Sequence, residues 1–376
     1  MLLQDDNKCR VLDGVPSLFL DSIRLFASLV VFIGHVGIYW YPNSIHMPSE
    51  PGDYTHASVI VFFVLSGFVI SATTKKSNRG PVKYAIARLT RLCSVVWPAL
   101  LITAIIEVVF LHWWPESPLI LSRGFSGLRY LMTGLFASEI WFLSATPPIN
   151  GPLWSLSYEF WYYAIFGLWF YRKSNSKIFY LLIIACVIAG PKILLMMPIW
   201  LFGYFSYSRD PPALPNTFKW VLVAVMLLIA LGLILYLPPF PFFLGKPSLF
   251  YAGQFVTDWI IGFFVGLALW FLPSYSHSLS VAQTRCTKIF RKTADLTFPL
   301  YVLHFPMILL WGALVEFHLN DFSQFIGALV VILVVAFILG LLMEKLRPEF
   351  GRFFIWIFNV IFKLPVLNEP KTALSK

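Results

Sequence analysis

Charged residues are scarce in this sequence. They make up 12% of its 376 residues, against 59% hydrophobic ones. A soluble globular domain carries about a quarter charged residues, so this composition excludes a soluble domain as the bulk of the chain. The mean hydropathy of +0.77 agrees. We predict an all-α integral membrane protein, because the apolar runs have the length of spanning helices.

Cysteine is scarce too. The four cysteines, Cys9, Cys93, Cys186 and Cys286, lie far apart in the sequence. None of them has the paired spacing of a zinc site or a redox motif, so no metal is expected. Three lie near segments that we predict to face the cytoplasm, where thiols stay reduced.

The sequence also lacks a cleavable signal peptide, an internal repeat and a low-complexity linker. Its first apolar stretch follows a polar start and has no convincing small-residue cleavage site. We interpret that stretch as an uncleaved first span. We predict one membrane domain over residues 1–376, with spans from about 18 to 343. Residues 344–376 are predicted to form a cytoplasmic tail, for which placement along the inner membrane surface is expected.

Apolar runs of helix length dominate what the sequence does contain. A spanning helix needs about 20 such residues, and about ten runs qualify. They are 18–40, 56–74, 93–112, 152–171, 178–190, 193–208, 218–237, 254–272, 296–315 and 323–343. Gly190, Pro191 and Lys192 divide the fifth from the sixth, as a hairpin or as a broken helix. Segment 126–146 is a further amphipathic candidate, either interfacial or re-entrant.

The net charge of +10 is high enough to raise nucleic acid as a partner. The positions of the basic residues argue against it. Most of the 28 lysines and arginines fall in short segments on one predicted side of the apolar runs. This bias is typical of the positive-inside rule. We therefore predict no nucleic-acid partner and place both termini in the cytoplasm.

The first apolar run contains Arg24 and His35. Eleven residues make about three helical turns, so both side chains share one face, about 16 Å apart along the axis. An ionisable residue inside a spanning helix is a functional-site candidate. A buried imidazole can act as a general base or a nucleophile. The alternative is a polar pair that binds neighbouring helices, and Arg24 alone could extend to the interface.

Arg88 and Arg91 form a second candidate group. They lie three residues apart, and therefore on one helical face, at the predicted cytoplasmic start of the third span. Two guanidinium groups suit a polyphosphate, whose oxygens they bind in a bidentate manner. An alternative explains these two arginines equally well: their positive charge orients the protein in the membrane and binds anionic lipid.

The stretch GPLWSLSYEFWYY places polar residues at the start of an apolar helix. Glu159 follows seven residues after Pro152, and we assign it to the catalytic group. Trp154 and Ser155 are candidates to line the site. The alternative is a helix start rich in interfacial aromatics, in which Ser155 caps the helix and the helix terminus favours Glu159.

Two further stretches supply candidate site-lining residues. The Ser66-Gly67 step permits close approach between helices, and Ser66 could still face the site. His304 lies in mid-span beside Tyr301. Nearby prolines such as Pro306 free backbone carbonyls that need partners. We interpret His304 as a hydrogen-bonded structural group and keep it, with Tyr301, as a candidate.

Taken in order, these stretches resemble acyltransferase family 3. The similar segments are LDSIRLFASLVVFIGH, FFVLSGFVIS, ARLTRLCSVVWPAL, GPLWSLSYEFWYY and FPLYVLHFP. The resemblance covers about residues 18 to 343. The departures are Ser22, where the family usually has glycine, and a basic loop with fewer consecutive arginines.

The resemblance implies a stand-alone, multi-pass O-acyltransferase of a cell membrane, such as a bacterial inner or plasma membrane. The donor would be cytoplasmic acyl-CoA, most often acetyl-CoA. The acceptor would be a hydroxyl of a cell-surface or exported glycan, or of a small molecule such as a macrolide. His35 would be the essential histidine and Arg24 its partner. As a hypothesis for the mechanism, the coenzyme A phosphates would bind Arg88 and Arg91, with Arg24 as a further candidate.

Two other classes stay open at this point. A transporter or flippase for a lipid-linked glycan would fit the polar residues in the spans and the interrupted helix at 190–192, although no internal repeat supports it. A passive scaffold in a polysaccharide assembly complex is the second. Outer loops 41–55, 113–150 and 238–253 are expected to choose the acceptor, with membrane lipids as further partners and the oligomeric state open.

Overall fold

Helices form the secondary structure of this protein. The computed structural model describes residue 10 and residues 14–43, 53–76, 78, 80–114, 124–173, 175–274 and 285–362, and no strand occurs among them. In chain order the helices are α1 (Val15–Trp40), α2 (Tyr54–Lys76), α3 (Pro81–Trp113), α4 (Ser126–Gly134), α5 (Trp154–Tyr171), α6 (Ser176–Ser208), α7 (Asn216–Tyr236), α8 (Phe255–Phe271), α9 (Arg285–Asp295), α10 (Thr297–Leu314) and α11 (Phe322–Phe362). The all-α prediction is confirmed.

Seven of the described helices are long and apolar enough to cross a membrane, namely α1, α2, α3, α6, α7, α10 and α11. Helix α8 is apolar but shorter. Every predicted apolar run falls on a helix, α5 included. The protein is therefore a multi-pass membrane protein, while the total of ten spans and the side on which the termini lie stay predictions.

The segment 126–146 does not form a spanning helix. Helix α4 has 9 residues, which extend for about 14 Å, less than half of a bilayer core. The chain after it is non-helical up to residue 150. Protein covers much of this stretch, because Glu139 is fully buried and forms an ion pair with the equally buried Lys192. Such cover is what irregular backbone in a membrane protein requires.

Helix α6 is kinked at the division predicted from the sequence. Gly190 has φ 77° and ψ −179°, outside the helical region. A side chain there would also place its Cβ 2.7 Å from the Cα of Trp141. The amide of Trp141 donates to the carbonyl of Ala189 at 3.1 Å. Glycine is therefore needed both for the backbone conformation and for this contact, and the two predicted runs form one broken helix.

The last helix extends past its predicted end. Residue 343 was the expected limit of the final span, yet α11 continues to Phe362 through Pro348. The indole of Trp97, on α3, packs against Phe350 and Phe354 with ring centroids 5.8 and 6.0 Å apart. Aromatic contacts with α3 thus hold this part of the predicted tail as helix, and residues 363–376 lie outside the described residues.

Contacts divide the chain into two units, and the first comprises residues 1–34, 42–78 and 194–297. In it, α8 packs against α2 and α7. A Cβ on Gly67 would lie 2.0 Å from the carbonyl oxygen of Trp200, and one on Gly203 would lie 1.9 Å from that of Val64. The close helix approach predicted at Gly67 is therefore present, between α2 and α6.

Arg10 caps the C-terminal ends of two helices in the first unit. Its guanidinium donates to the carbonyl of Ser206 at 3.0 Å and to those of Leu269 and Trp270 at 3.3 Å. Carbonyls in the last turn of a helix lack partners within the helix, and here one side chain serves α6 and α8. Burial lowers the pKa of Arg10 to about 10.

The second unit comprises residues 35–41, 79–193 and 298–376. Helix α3 packs against α11, α5 and α4 in it. The unit also contains the last turns of α1 and almost all of α10. These elements supply most of the candidate residues identified in the sequence.

Candidate active site

His35 and His304 lie in contact within the second unit. The Nδ1 atom of His35 is 3.0 Å from the Nε2 atom of His304, and the two ring centroids are 5.1 Å apart. His304 has no solvent exposure. The structure therefore brings together the expected reactive histidine and a histidine that the sequence favoured only as a structural group.

His304 is held by its own helix on the side away from His35. Its Nδ1 atom is 2.7 Å from the carbonyl oxygen of Tyr301 and 3.2 Å from that of Leu300. A carbonyl oxygen only accepts hydrogen bonds. The proton of a neutral His304 is thus on Nδ1.

Pro306 and Asn150 shape the helix around His304. Pro306 has no N–H group, so the carbonyl of Val302 loses its usual donor within α10. The side-chain amide of Asn150 replaces that donor at 2.9 Å and also donates to Thr103 Oγ1 at 3.1 Å. Asn150 is fully buried and was not singled out in the sequence. The proline two residues after a mid-span histidine was the available signal, since it implied an unpaired carbonyl.

Tyr301 and Ser155 attach the start of α5 to α10. The hydroxyl of Tyr301 donates to the carbonyl of Pro152 at 2.7 Å. It therefore accepts its second bond, also 2.7 Å long, from the hydroxyl of Ser155. Trp154 is buried beside them and packs edge-on against the ring of Tyr158 at 5.3 Å. Three candidate site-lining residues thus lie at one junction, within a turn of His304.

Arg88 lies in an aromatic setting near the start of α3. Its guanidinium carbon is 5.6 Å from the ring centroid of Tyr84 and 5.9 Å from that of Tyr163. Tyr84 donates to the carbonyl of Tyr163 at 3.0 Å, which ties α3 to α5. The hydroxyl of Tyr163 in turn donates to the carboxylate of Glu159. Glu159, a predicted catalytic residue, therefore has a contact beside the arginine.

Two more arginines surround Arg88. Arg91, on the same helix, and Arg347, on α11, are close enough to interact with it electrostatically. The Nε atom of Arg88 is shielded from solvent and has no hydrogen-bond acceptor within the described part of the chain. Concentrated positive charge with a spare buried donor suits an anion such as a phosphate. The sequence missed Arg347, because it counted only as one of many basic residues on the predicted inner side.

Helix α5 links the two groups. Ser155, Glu159 and Tyr163 are spaced four residues apart and therefore share one helical face. Ser155 contacts α10 beside the histidines, and Tyr163 contacts α3 beside the arginines. Tyr163 lies eight positions after Ser155, a rise of about 12 Å along the helix. A polar face thus extends from the histidine pair to the arginine group within one unit.

Two predicted residues belong to the first unit. Arg24 forms an ion pair with Asp21 at 3.4 Å, one turn earlier on α1. The hydroxyl of Ser66 accepts a hydrogen bond from the indole of Trp200 at 3.2 Å. Arg24 shares α1 with His35. The functional roles expected for Arg24 and Ser66 stay predictions.

A comparison with protein families shows the family of this chain. A family model described as an acyltransferase domain matches residues 17–341. The chain belongs to acyltransferase family 3. The match includes both histidines of the pair, together with Glu159 and Arg88, so this family 3 member carries the whole polar face of α5 inside the matched region. Arg347 lies just beyond it. Searches of curated proteins and of solved structures gave no match.

Proposed function

We propose that this family 3 acyltransferase moves an acyl group, most simply acetyl, from cytoplasmic acyl-CoA to a hydroxyl of a cell-surface or exported glycan in a bacterial inner or plasma membrane. One observation carries the proposal. A single helix, α5, contacts α10 beside the His35–His304 pair and α3 beside the arginines. Acyl-CoA carries charged phosphates at one end and the reactive thioester at the other, so it needs two binding sites that are connected in this way.

The arginine group is the proposed site for the phosphates of coenzyme A. Guanidinium groups bind phosphate oxygens in a bidentate manner. The shielded Nε of Arg88 offers one donor, and Arg91 and Arg347 add positive charge around it. Arg24, in the first unit, remains a proposed further contact of the phosphates or a partner of His35.

Glu159 is proposed to act between these two sites. Its carboxylate accepts a hydrogen bond from Tyr163, and a carboxylate has further acceptor positions. The pantetheine arm of coenzyme A carries two amide N–H groups that could donate to it. Glu159 would then position the donor, or the acceptor sugar, along the face of α5.

His35 is proposed to carry the chemistry. As a general base it would take the proton of the acceptor hydroxyl while that oxygen bonds to the thioester carbonyl carbon. The carbon–sulfur bond then breaks, and the proton passes to the sulfur, giving an ester and free coenzyme A. As a nucleophile His35 would first bond to the thioester carbonyl carbon and displace the coenzyme A thiolate. The acceptor hydroxyl would then displace His35 from that carbon, and its proton would pass to the thiolate.

Release of thiol from acetyl-CoA tests the proposal. The purified protein in lipid nanodiscs should release free thiol and label a surface-glycan fraction with acetyl, both detectable by mass spectrometry. His35→Ala protein that is folded and inserted should do neither. Near wild-type transfer by that variant would refute the role of His35. Movement of a glycan across the membrane without thiol release would favour a flippase. Acetyl labelling of a macrolide but not of the glycan would indicate that the acceptor is a small molecule.

A further inference from the structure

We infer that His304 is a positioning residue that fixes the tautomer of His35, with the proton on Nδ1 and the basic lone pair on Nε2. This inference rests on the proposed function, since it assigns the atom of His35 that reacts. The resemblance implies that His35 is essential and Arg24 its partner, and it gives no role to His304. The tautomer of His35 is inferred from the relative positions of two imidazole rings and three backbone carbonyls.

The first step concerns the proton of His304. Both groups near its Nδ1 atom, the carbonyls of Tyr301 and Leu300, are acceptors, at 2.7 and 3.2 Å. Only a protonated Nδ1 satisfies them. The turn that presents these carbonyls is held in place from outside, because Asn150 replaces the donor that Pro306 removes from Val302.

The second step concerns the charge of His304. A side chain with no solvent exposure holds a charge only at a high cost in desolvation. His304 is therefore neutral, and a neutral imidazole with a proton on Nδ1 has none on Nε2. Its Nε2 atom is an acceptor.

The third step follows for His35. The Nδ1 atom of His35 lies 3.0 Å from this acceptor, so that Nδ1 carries the proton. The lone pair of a neutral His35 is then on Nε2, across the ring from His304. Both proposed reactions need a lone pair at the atom that meets the substrate. The opposite tautomer would present an N–H there instead and could neither accept a proton nor attack a thioester.

The same contact also serves the charged form of His35. When Nε2 takes the proton of the acceptor hydroxyl, Nδ1 keeps its own proton and continues to donate to His304. A buried acceptor at Nδ1 both orients an imidazole and stabilises the imidazolium that forms during reaction. His304 thus occupies the position at which hydrolytic triads carry a carboxylate, but without adding a negative charge.

Nitrogen NMR on the inserted protein tests the tautomer without any reaction. The chain has 7 histidines, and the signals that disappear in His35→Ala assign His35 in ¹⁵N-histidine-labelled protein in lipid bilayers. We expect a protonated Nδ1 and an unprotonated Nε2 for His35 in the wild type. In His304→Leu the two tautomers of His35 should become mixed. A protonated Nε2 in the neutral wild-type His35 would overturn the inference.

Kinetics of three variants test the consequence for transfer. His304→Leu removes the acceptor and should lower kcat by about 100-fold or more, with the KM for acetyl-CoA within about threefold of wild type. His304→Gln offers an amide oxygen to Nδ1 of His35 and should recover at least about a tenth of the wild-type kcat. His112→Leu is the matched control, because that histidine is exposed at the end of α3 and its loss should leave both constants unchanged.

The outcomes separate this inference from the proposed function. Equal losses in His304→Leu and His304→Gln, or full activity in both, would overturn the positioning role. If the wild type shows the expected tautomer but transfers no acyl group, the positioning of His35 stands and the proposed reaction fails. If His304→Leu does not fold, the wild-type spectrum and the His304→Gln variant still decide.

Discussion

His35, in the second unit, and His56, in the first, each donate a hydrogen bond to a buried side chain, but the two accepting partners differ. His35 donates through Nδ1 to another imidazole, that of His304. His56, on α2, donates through Nε2 to the carboxylate of Asp258, on α8, at 3.0 Å. Gln254 donates to the other oxygen of that carboxylate at 3.0 Å. The two donating rings therefore use opposite nitrogens for this hydrogen bond.

The partner decides what each histidine can do. A carboxylate adjacent to an imidazole favours its charged form, and His56 with Asp258 forms a buried ion pair between two helices. A neutral imidazole partner adds no charge, so His35 can stay a neutral base. Burial differs as well, because His56 is buried whereas His35 is only partly buried. We interpret the pair in the first unit as structural; in the second unit we propose His35 as the catalytic residue and His304 as its positioning residue.

The largest expected effect is on kcat, and it should distinguish His35 from His56. His35→Ala removes the reacting group and should lower kcat by about 1,000-fold. His56→Gln, scored per folded molecule, should lower it by no more than about threefold. Thiol release from acetyl-CoA, normalised to the monodisperse fraction in size-exclusion chromatography, measures both. A loss in His56→Gln as large as that in His35→Ala would remove the distinction.

The next largest effect is expected on stability, and it concerns the pair of His56 and Asp258. His56→Leu leaves the buried carboxylate of Asp258 without its charged partner, which costs about 3–5 kcal/mol. Thermal unfolding in detergent should show a clear fall in Tm. The double variant His56→Leu with Asp258→Leu removes both charges and should recover much of the loss. If the single variant unfolds at the wild-type temperature, the ion pair does not stabilise the first unit.

The arginine group at the other end of α5 should affect binding of the donor. Arg88→Gln removes a guanidinium with a buried spare donor and should raise the KM for acetyl-CoA about tenfold, as expected for a lost charged hydrogen bond. Arg347→Gln should act in the same direction by a smaller factor. Lys76→Gln is the control, since that lysine is exposed at the end of α2. Unchanged KM values for both arginine variants would show that the phosphates of coenzyme A do not bind at this arginine group.

The sequence predicted local features of the protein better than distant contacts. The close approach at Gly67 and the break at Gly190 were predicted correctly, because each follows from the chemistry of glycine. The contact between His35 and His304 joins positions 269 residues apart, and helical periodicity carries no information about such a pairing. Arg347 was missed for the same reason, because only the packing of α11 on α3 brings it to Arg88.

The smallest effect concerns two serines that the sequence presented alike. Ser66→Ala removes an acceptor of the Trp200 indole and should cost about 1 kcal/mol of stability, with kcat unchanged. Ser155→Ala removes the donor to Tyr301 at the junction beside His304, so kcat should fall about tenfold at a similar cost in stability. Thermal unfolding and thiol release on the same preparations compare the two. Because both changes delete one hydroxyl, equal activities in the two variants would contradict a catalytic role specific to the second unit.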